Sequence, residues 1–236
     1  MNFMKKLAKQ FGLFLLILVL NSTPFILIAA QNELSIPLQW VTGLAYLFVA
    51  TFIIKFVWKN YSTKESEHVK QLRFGWKDFG IALLFFLATR IIAILGSLLN
   101  AYLNGNDITA NDAAIMATAQ QLKETFPLYF IGFHLAIGLF APILEELAYR
   151  GFLSRYFFRD NQIILPLIVS STLFSLPHLW AFNLIEFIIY FALGVIFYLA
   201  YARRRNIKDA MVVHGLNNGL FVIGSVINYI LFLLGQ

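Results

Sequence analysis

The sequence predicts an all-α fold, a polytopic transmembrane helical bundle, and three observations support this prediction. Hydrophobic residues make up 60% of the 236 residues, whereas charged residues make up only 13%, against about a quarter in soluble domains. The mean hydropathy is +0.74. Apolar runs of about 20 residues also recur along the chain, and each is long enough to cross a hydrocarbon core of roughly 30 Å.

Seven apolar runs each predict one membrane span. The first run follows three lysines and therefore imitates a signal peptide. It is longer than the apolar core of a signal peptide, and Ile28-Ala29-Ala30 is a poor cleavage site, so we expect a retained helix. The runs cover about 10–30, 37–58, 78–100, 127–148, 162–182, 184–202 and 209–234.

The distribution of basic residues predicts how the bundle is oriented. Lys and Arg cluster at 5–9, 55–77, 150–159 and 203–208, which are alternate connections between spans. The positive-inside rule therefore predicts a cytoplasmic N-terminus and an external C-terminus. The net charge of +6 then indicates orientation and contact with anionic lipid in the bilayer, and no nucleic-acid partner is expected. The chain has no cysteine, which excludes a disulfide framework and thiolate chemistry.

Arg90 lies about 12 residues into the third run, roughly 18 Å deep, where an unpaired guanidinium is costly. Among the acids of other helices we favour Glu146 as its partner over Glu186, which is expected near the external face. A structural ion pair is favoured over a contact with substrate. The polar loop that follows, 101–123, holds an Ala-rich stretch at 113–122 that predicts a short helix able to cover a cavity entrance.

The fourth run carries two adjacent carboxylates, Glu145 and Glu146, and then Arg150. On a helix Glu146 and Arg150 are four residues apart, so they lie on one face and can pair. Glu145 points about 100° away from that face. We therefore interpret Glu146 as structural and Glu145 as available for chemistry. Pro142 frees a backbone carbonyl one turn earlier and is able to kink the helix.

Two later segments each offer a polar side chain at i,i+4 spacing. Phe174 and His178 share one helical face, and so do His214 and Asn218. A hairpin turning near 159–161 brings Glu145 and His178 to similar depth. An acid, two histidines and an amide in one pocket are suited to hydrolysis, because the carboxylate can accept a proton from water while the amide and a histidine stabilise the oxyanion.

This hydrolytic scheme needs no cofactor. The same residues are also compatible with a second, zinc-dependent scheme. Glu145, His178 and His214 form a His₂Glu set that suits zinc with an open coordination position. Each residue taken alone is also typical of a satisfied polar group inside a helix bundle. The combination of three at helical spacing is what favours a functional site.

These residues resemble the CPBP family of intramembrane proteases, the CAAX prenyl protease and bacteriocin-processing group also called Abi. The pattern Glu-Glu-x-x-x-Arg, Phe-x-x-x-His and His-x-x-x-Asn/Asp occurs in order over about 126–220. The resemblance implies seven to eight spans and an active-site cavity within the membrane. It divides the chain into N-terminal transmembrane helices and loops at 1–125 and a catalytic core at 126–236, within a single integrated membrane domain.

The resemblance also implies roles for the residues. Glu145 with His178 is expected to activate water, and His214 with Asn218 to stabilise the oxyanion, with Glu146, Arg150, Phe174 and Arg90 in support. Older descriptions of the family as metalloproteases keep zinc as the alternative. Eukaryotic members trim prenylated CAAX tails, whereas bacterial members are linked to bacteriocin self-immunity, peptide maturation and quorum sensing. The small size and charge bias favour the bacterial branch.

Three functions are therefore compared. The first is an intramembrane endopeptidase acting on a membrane peptide or protein substrate. The alternative is a non-catalytic membrane immunity or peptide-binding protein that uses the same cavity. A transporter is disfavoured because the sequence has neither a detectable internal repeat nor paired broken helices in corresponding halves.

Overall fold

The computed structural model describes residues 2–235, and in that part of the chain every regular element is helical. Within residues 2–235, nine α-helices, some extended by a single 3₁₀ turn, form the bundle. The sixth is one continuous helix interrupted by two π-helical turns, Ala136–Phe140 and Leu147–Phe152. The helices are α1 Phe3–Ala30, α2 Ile36–Ser62, α3 Glu67–Gln71, α4 Trp76–Asn104, α5 Ala110–Gln121, α6 Pro127–Phe157, α7 Ile164–Ser175, α8 Leu184–Ala202 and α9 Ile207–Leu233.

The predicted polytopic helical bundle is confirmed. In the described part of the chain, six helices (α1, α2, α4, α6, α8 and α9) are long and apolar enough to cross a membrane. The predicted span at 162–182 is shorter than expected, because it consists of α7 and a 3₁₀ turn and reaches only from Ile164 to His178. Pro177 lies in that turn and cannot donate a helical hydrogen bond, which explains the early end. The short helix predicted within the 101–123 loop is present as α5.

The four basic segments lie together at one end of the bundle. Their long side chains cross from one segment to the backbone carbonyls of another, which supplies donors to carbonyl groups near helix ends that have no partner within the helix. The clustering of basic connections that the sequence predicts is therefore also a packing arrangement. The contacts are Lys6 Nζ to the Tyr156 carbonyl (2.7 Å), Arg155 Nη1 to the Tyr61 carbonyl (2.8 Å) and Arg205 Nη2 to the Asp160 carbonyl (2.7 Å).

The centre of the bundle is α6, in which every residue from 144 to 154 is buried. Its π-helical turns leave carbonyl groups that other helices satisfy. In the first turn Ala141 N–H bonds the Ala136 carbonyl, so the next carbonyl, that of Ile137, would need Pro142 as donor. Proline has no N–H, and the Nδ2 of Asn218 on α9 donates to the Ile137 carbonyl instead (3.0 Å).

Helices α7 and α8 approach closely at Gly194. A Cβ atom on Gly194 would lie 2.9 Å from the Cα of Ser171, which is backbone and cannot swing away. The Gly194 carbonyl also accepts a hydrogen bond from Arg150 Nη2 (2.9 Å). This glycine therefore sets the spacing of two helices that surround the buried arginine.

We expect Gly194→Ala to destabilise the protein by about 1–3 kcal/mol, because the new methyl group overpacks the α7–α8 contact. Thermal unfolding in detergent measures the change. Gly80→Ala on α4 is the matched control, since a Cβ there meets nothing within 4 Å and alanine favours the helix. Equal unfolding temperatures for Gly194→Ala and Gly80→Ala would contradict the packing argument.

Candidate active site

A cavity of about 450 Å³ lies between α1 and α4 to α9. The structure brings all four residues predicted to be catalytic to its wall, together with Phe174 and Arg90. The helix α5, expected to cover a cavity entrance, lines it through Thr109, Asn111 and Asp112. The predicted catalytic and supporting residues on the wall are Arg90, Glu145, Phe174, His178, His214 and Asn218.

The predicted Glu146–Arg150 pair is present and completely buried. Arg150 Nη1 lies 3.1 Å from Glu146 Oε1, and both side chains have 0% exposure. The guanidinium carbon also lies 4.6 Å from the centre of the Phe174 ring, a cation–π distance. Phe174 therefore packs against the arginine as well as lining the cavity.

Glu146 has a second partner that the sequence interpretation did not give it. His214 Nδ1 lies 2.9 Å from Glu146 Oε1, so Glu146 contacts α9 as well as Arg150 of its own helix. A carboxylate accepts, so Nδ1 carries the hydrogen and Nε2 faces the other way. The ring stacks on Phe197 with centroids 4.4 Å apart. Pairing between α6 and α9 depends on helix rotation, which i,i+4 spacing within one helix does not report.

Glu145 is held by a residue from the first helix. Asn21 Nδ2 donates to Glu145 Oε1 (2.8 Å), while Glu145 Oε2 is buried without a hydrogen-bond partner. That oxygen lies 4.0 Å from His214 Nε2, a separation that one bridging water can span. The sequence analysis missed Asn21, although an amide within an apolar span is itself a signal, because it needs a partner inside the bundle.

His178 lies in the 3₁₀ turn that ends α7. Its Nδ1 bonds the Phe174 carbonyl (2.8 Å), and a carbonyl only accepts, so Nδ1 carries the hydrogen and Nε2 is the basic nitrogen. The imidazole stacks on the Tyr190 ring with centroids 4.5 Å apart. The Tyr190 hydroxyl in turn shares a hydrogen bond with the Thr109 hydroxyl at the start of α5 (2.7 Å). Tyr190 therefore contacts both His178 and the N-terminal end of α5.

Asn218 is fixed at both ends of its amide. Its Nδ2 donates to the Ile137 carbonyl, and its Oδ1 accepts from Asn217 Nδ2 (3.1 Å). An amide nitrogen carries two hydrogens, so one N–H is engaged and the second is available to a ligand in the cavity.

The expected Arg90–Glu146 pair is wrong. Arg90 Nη2 donates instead to the Oδ1 of Asn217 on α9, and Glu146 is occupied by Arg150 and His214. The length of the apolar run indicates the depth of Arg90 but not the register of α4 against α9. Asn217, next to the recognised Asn218, is the partner that spacing rules did not reveal.

The zinc alternative was tested against the donor atoms. Each histidine uses Nδ1 for a protein acceptor, which leaves His178 Nε2, His214 Nε2 and Glu145 Oε2 as the only set. Within residues 2–235, however, no group of three or more His, Cys, Asp or Glu side chains is close enough to hold a metal ion. The set does not fit a metal site in this arrangement.

Comparison with known proteins identifies relatives for the chain. Residues 127–220 match the family model described as type II CAAX prenyl endopeptidase Rce1-like. The chain is 27% identical over 226 residues to the membrane-embedded CAAX protease MroQ of Staphylococcus aureus. The aligned region covers 91% of this chain and 85% of MroQ. The family match thus covers α6, α7, α8 and the N-terminal half of α9.

Two further relatives are UPF0177 proteins of Lactococcus lactis. One, YaiH, is 34% identical over 139 residues, covering 58% of this chain and 55% of YaiH. The other, from subspecies cremoris, is 31% identical over 142 residues, covering 60% of this chain and 57% of its own length. The chain thus spans little more than half the length of these two relatives. No solved structure matches the chain.

We expect Arg150→Met to destabilise the protein by about 3–5 kcal/mol, because it leaves the Glu146 carboxylate buried without its cation. Combining it with Glu146→Gln removes that charge, so the double variant is expected to be more stable than Arg150→Met alone. Thermal unfolding in detergent compares the two. A double variant no more stable than Arg150→Met would contradict the ion-pair assignment.

Proposed function

We propose that the chain is an intramembrane endopeptidase, because residues 127–220 match the Rce1-like CAAX protease family model. Its substrates are membrane-associated peptides or proteins, and the nucleophile is water activated by Glu145. One observation carries this proposal: Glu145, His178, His214 and Asn218 line the same cavity, and the Oε2 atom of Glu145 has no protein partner.

In the first step Glu145 Oε2 takes a proton from a water molecule. The oxygen of that water forms a bond to the carbonyl carbon of the scissile peptide, whose π electrons move to the carbonyl oxygen. His178 Nε2 is the basic nitrogen of its ring and accepts a hydrogen bond from the second O–H of the water, which keeps that hydrogen and has a lone pair directed toward the peptide. Removal of a positioned general base typically costs a factor of about 10²–10⁴.

The negative oxygen of the tetrahedral intermediate needs donors. Asn218 offers its second N–H, since the first is engaged by the Ile137 carbonyl. His214 donates from Nε2 after it takes a proton there, because Nδ1–H is committed to Glu146. The nearby Glu145 Oε2, at 4.0 Å, holds the proton taken from water and is the source of that proton.

Collapse of the intermediate breaks the C–N bond and releases an amine and a carboxylic acid. The leaving nitrogen takes the proton that came from water, through Glu145 or His214, so both groups return to their starting states. Glu146 does not touch the reacting atoms. It holds the imidazole of His214 in one tautomer and orientation, as the acid does in a Ser-His-Asp triad.

We also propose an orientation with the N-terminus in the cytoplasm. The Lys6–Tyr156, Arg155–Tyr61 and Arg205–Asp160 contacts gather the basic segments at one end of the bundle. The positive-inside rule assigns such an end to the cytoplasm.

We expect Glu145→Gln to lower peptide cleavage at least about 100-fold, because an amide cannot accept the proton of the attacking water. Gln keeps the size of the side chain, and its amide oxygen can still accept from Asn21. Cleavage of a membrane-peptide library in detergent, with unfolding temperature as a check on folding, measures the effect. Full activity in Glu145→Gln would rule out the mechanism, and retention of a biological phenotype without cleavage would favour the binding or immunity function.

We further expect activity to survive metal chelation, because the proposed reaction uses protein groups alone. Cleavage rates of wild-type protein are compared with and without a strong zinc chelator, followed by addition of excess Zn²⁺. Loss of activity on chelation that Zn²⁺ restores would favour the metalloprotease alternative.

A further inference from the structure

Arg90 is a cation on the cavity wall without a counter-ion. It is the middle residue of the 29-residue helix α4, so it lies roughly 21 Å along the axis from either helix end. Among the described residues, 2–235, the ion pairs do not include Arg90. A guanidinium at this depth calls for an anion or a strong set of acceptors.

The protein supplies Arg90 with neutral partners only. Asn217 Oδ1 accepts from Nη2, and the ring centre of Phe86 lies 5.7 Å from the guanidinium carbon. Its Nε is buried with no hydrogen-bond partner. Arginine carries five N–H groups in a planar fork, so most of them remain for a bound molecule.

The nearest candidate among the protein's own acids is otherwise engaged. Asp112 on α5 lines the same cavity but accepts from the hydroxyl of Tyr190 (3.4 Å) and makes no ion pair with Arg90. Asp112 is close enough for its charge to act on Arg90, but among residues 2–235 the two side chains form no ion pair. The guanidinium fork matches a carboxylate in geometry and charge.

We propose that Arg90 binds a carboxylate of the peptide, either its C-terminal carboxylate or an acidic side chain, and so determines which peptides are cleaved. This inference rests on the proposed function. The depth of Arg90 favours a peptide carboxylate over a lipid phosphate, because phosphates lie at the membrane surface and Arg90 lies at mid-helix.

The hydrogen bonds also predict where the carboxylate lies in the peptide. Arg90 donates to Asn217, and Asn217 Nδ2 donates to Asn218 Oδ1 (3.1 Å). The guanidinium is therefore linked through Asn217 to Asn218, the proposed oxyanion donor. Two amides joined in this way span on the order of 10 Å, and extended peptide covers about 3.3–3.6 Å per residue. The bound carboxylate is therefore within about four residues of the scissile bond.

The test measures binding with Glu145→Gln protein in detergent, so that no peptide is consumed. The probes are fluorescein-labelled apolar peptides in matched pairs: a free C-terminus against a C-terminal amide, and a single Glu against Gln in amidated peptide. We expect one acidic member to bind about tenfold or more tightly than its neutral match, and the pair that shows the preference identifies the source of the carboxylate.

Adding Arg90→Gln is expected to abolish this preference, and Arg90→Lys to retain part of it, since Lys keeps the charge but not the fork. Arg159→Gln, at an exposed position in the turn between α6 and α7, is the matched control and should change nothing. Asp112→Asn should increase the preference, because it removes the anion that shares the cavity.

Equal binding within both peptide pairs overturns the inference. So does a preference that persists in Arg90→Gln, or, if that variant does not fold, a preference that Asp112→Asn leaves unchanged. Cleavage by wild-type protein without charge preference contradicts this inference alone, whereas charge-selective binding without any cleavage contradicts the proposed function alone.

Discussion

The site depends on one oxygen atom, Glu146 Oε1, which bonds both Arg150 and His214. Burying a carboxylate and a guanidinium at 0% exposure costs several kcal/mol per ion unless their hydrogen bonds are satisfied. Arg150 meets part of this requirement by also donating to the Gly194 carbonyl, while its Nε and Glu146 Oε2 have no hydrogen-bond partner. The pair therefore ties α6 to α8 and α9 at once, and a change in the spacing of these helices breaks a charged contact.

The same oxygen explains how two adjacent acids acquire different tasks. The imidazole of His214 lies between them, with Nδ1 on Glu146 at 2.9 Å and Nε2 facing Glu145 at 4.0 Å. Because the Glu146 contact fixes the tautomer, the nitrogen that faces Glu145 is the one free to exchange a proton. Glu146 thus fixes which nitrogen of His214 faces Glu145, and in the proposed mechanism the two glutamates differ in their distance from the reacting atoms.

The sequence predicted contacts within single helices and the shared cavity of Glu145, His178, His214 and Asn218, but it missed several direct contacts between helices. Residues four apart in the chain must share a helical face, so the Glu146–Arg150 pair was predictable and is present. The partners of Arg90, His214 and Glu145 depend on the rotation and register of α1, α4 and α9 against α6, which apolar runs do not encode. The length of the predicted span at 162–182 was wrong for a local reason, because hydropathy does not register the helix-ending effect of Pro177.

Two prolines show why these positions are irregular in a bundle where unpaired backbone groups are costly. Pro142 has no N–H to donate to the Ile137 carbonyl. Asn218 Nδ2 donates to that carbonyl instead, and this hydrogen bond orients Asn218. Pro177 ends α7, so His178 stands in a 3₁₀ turn and bonds the Phe174 carbonyl rather than continuing a helix. At each proline a side chain of the site bonds a backbone carbonyl near the break in the helix. These hydrogen bonds orient the side chains without a loop at membrane depth. The irregular backbone therefore positions the polar residues, and the polar residues satisfy the irregular backbone.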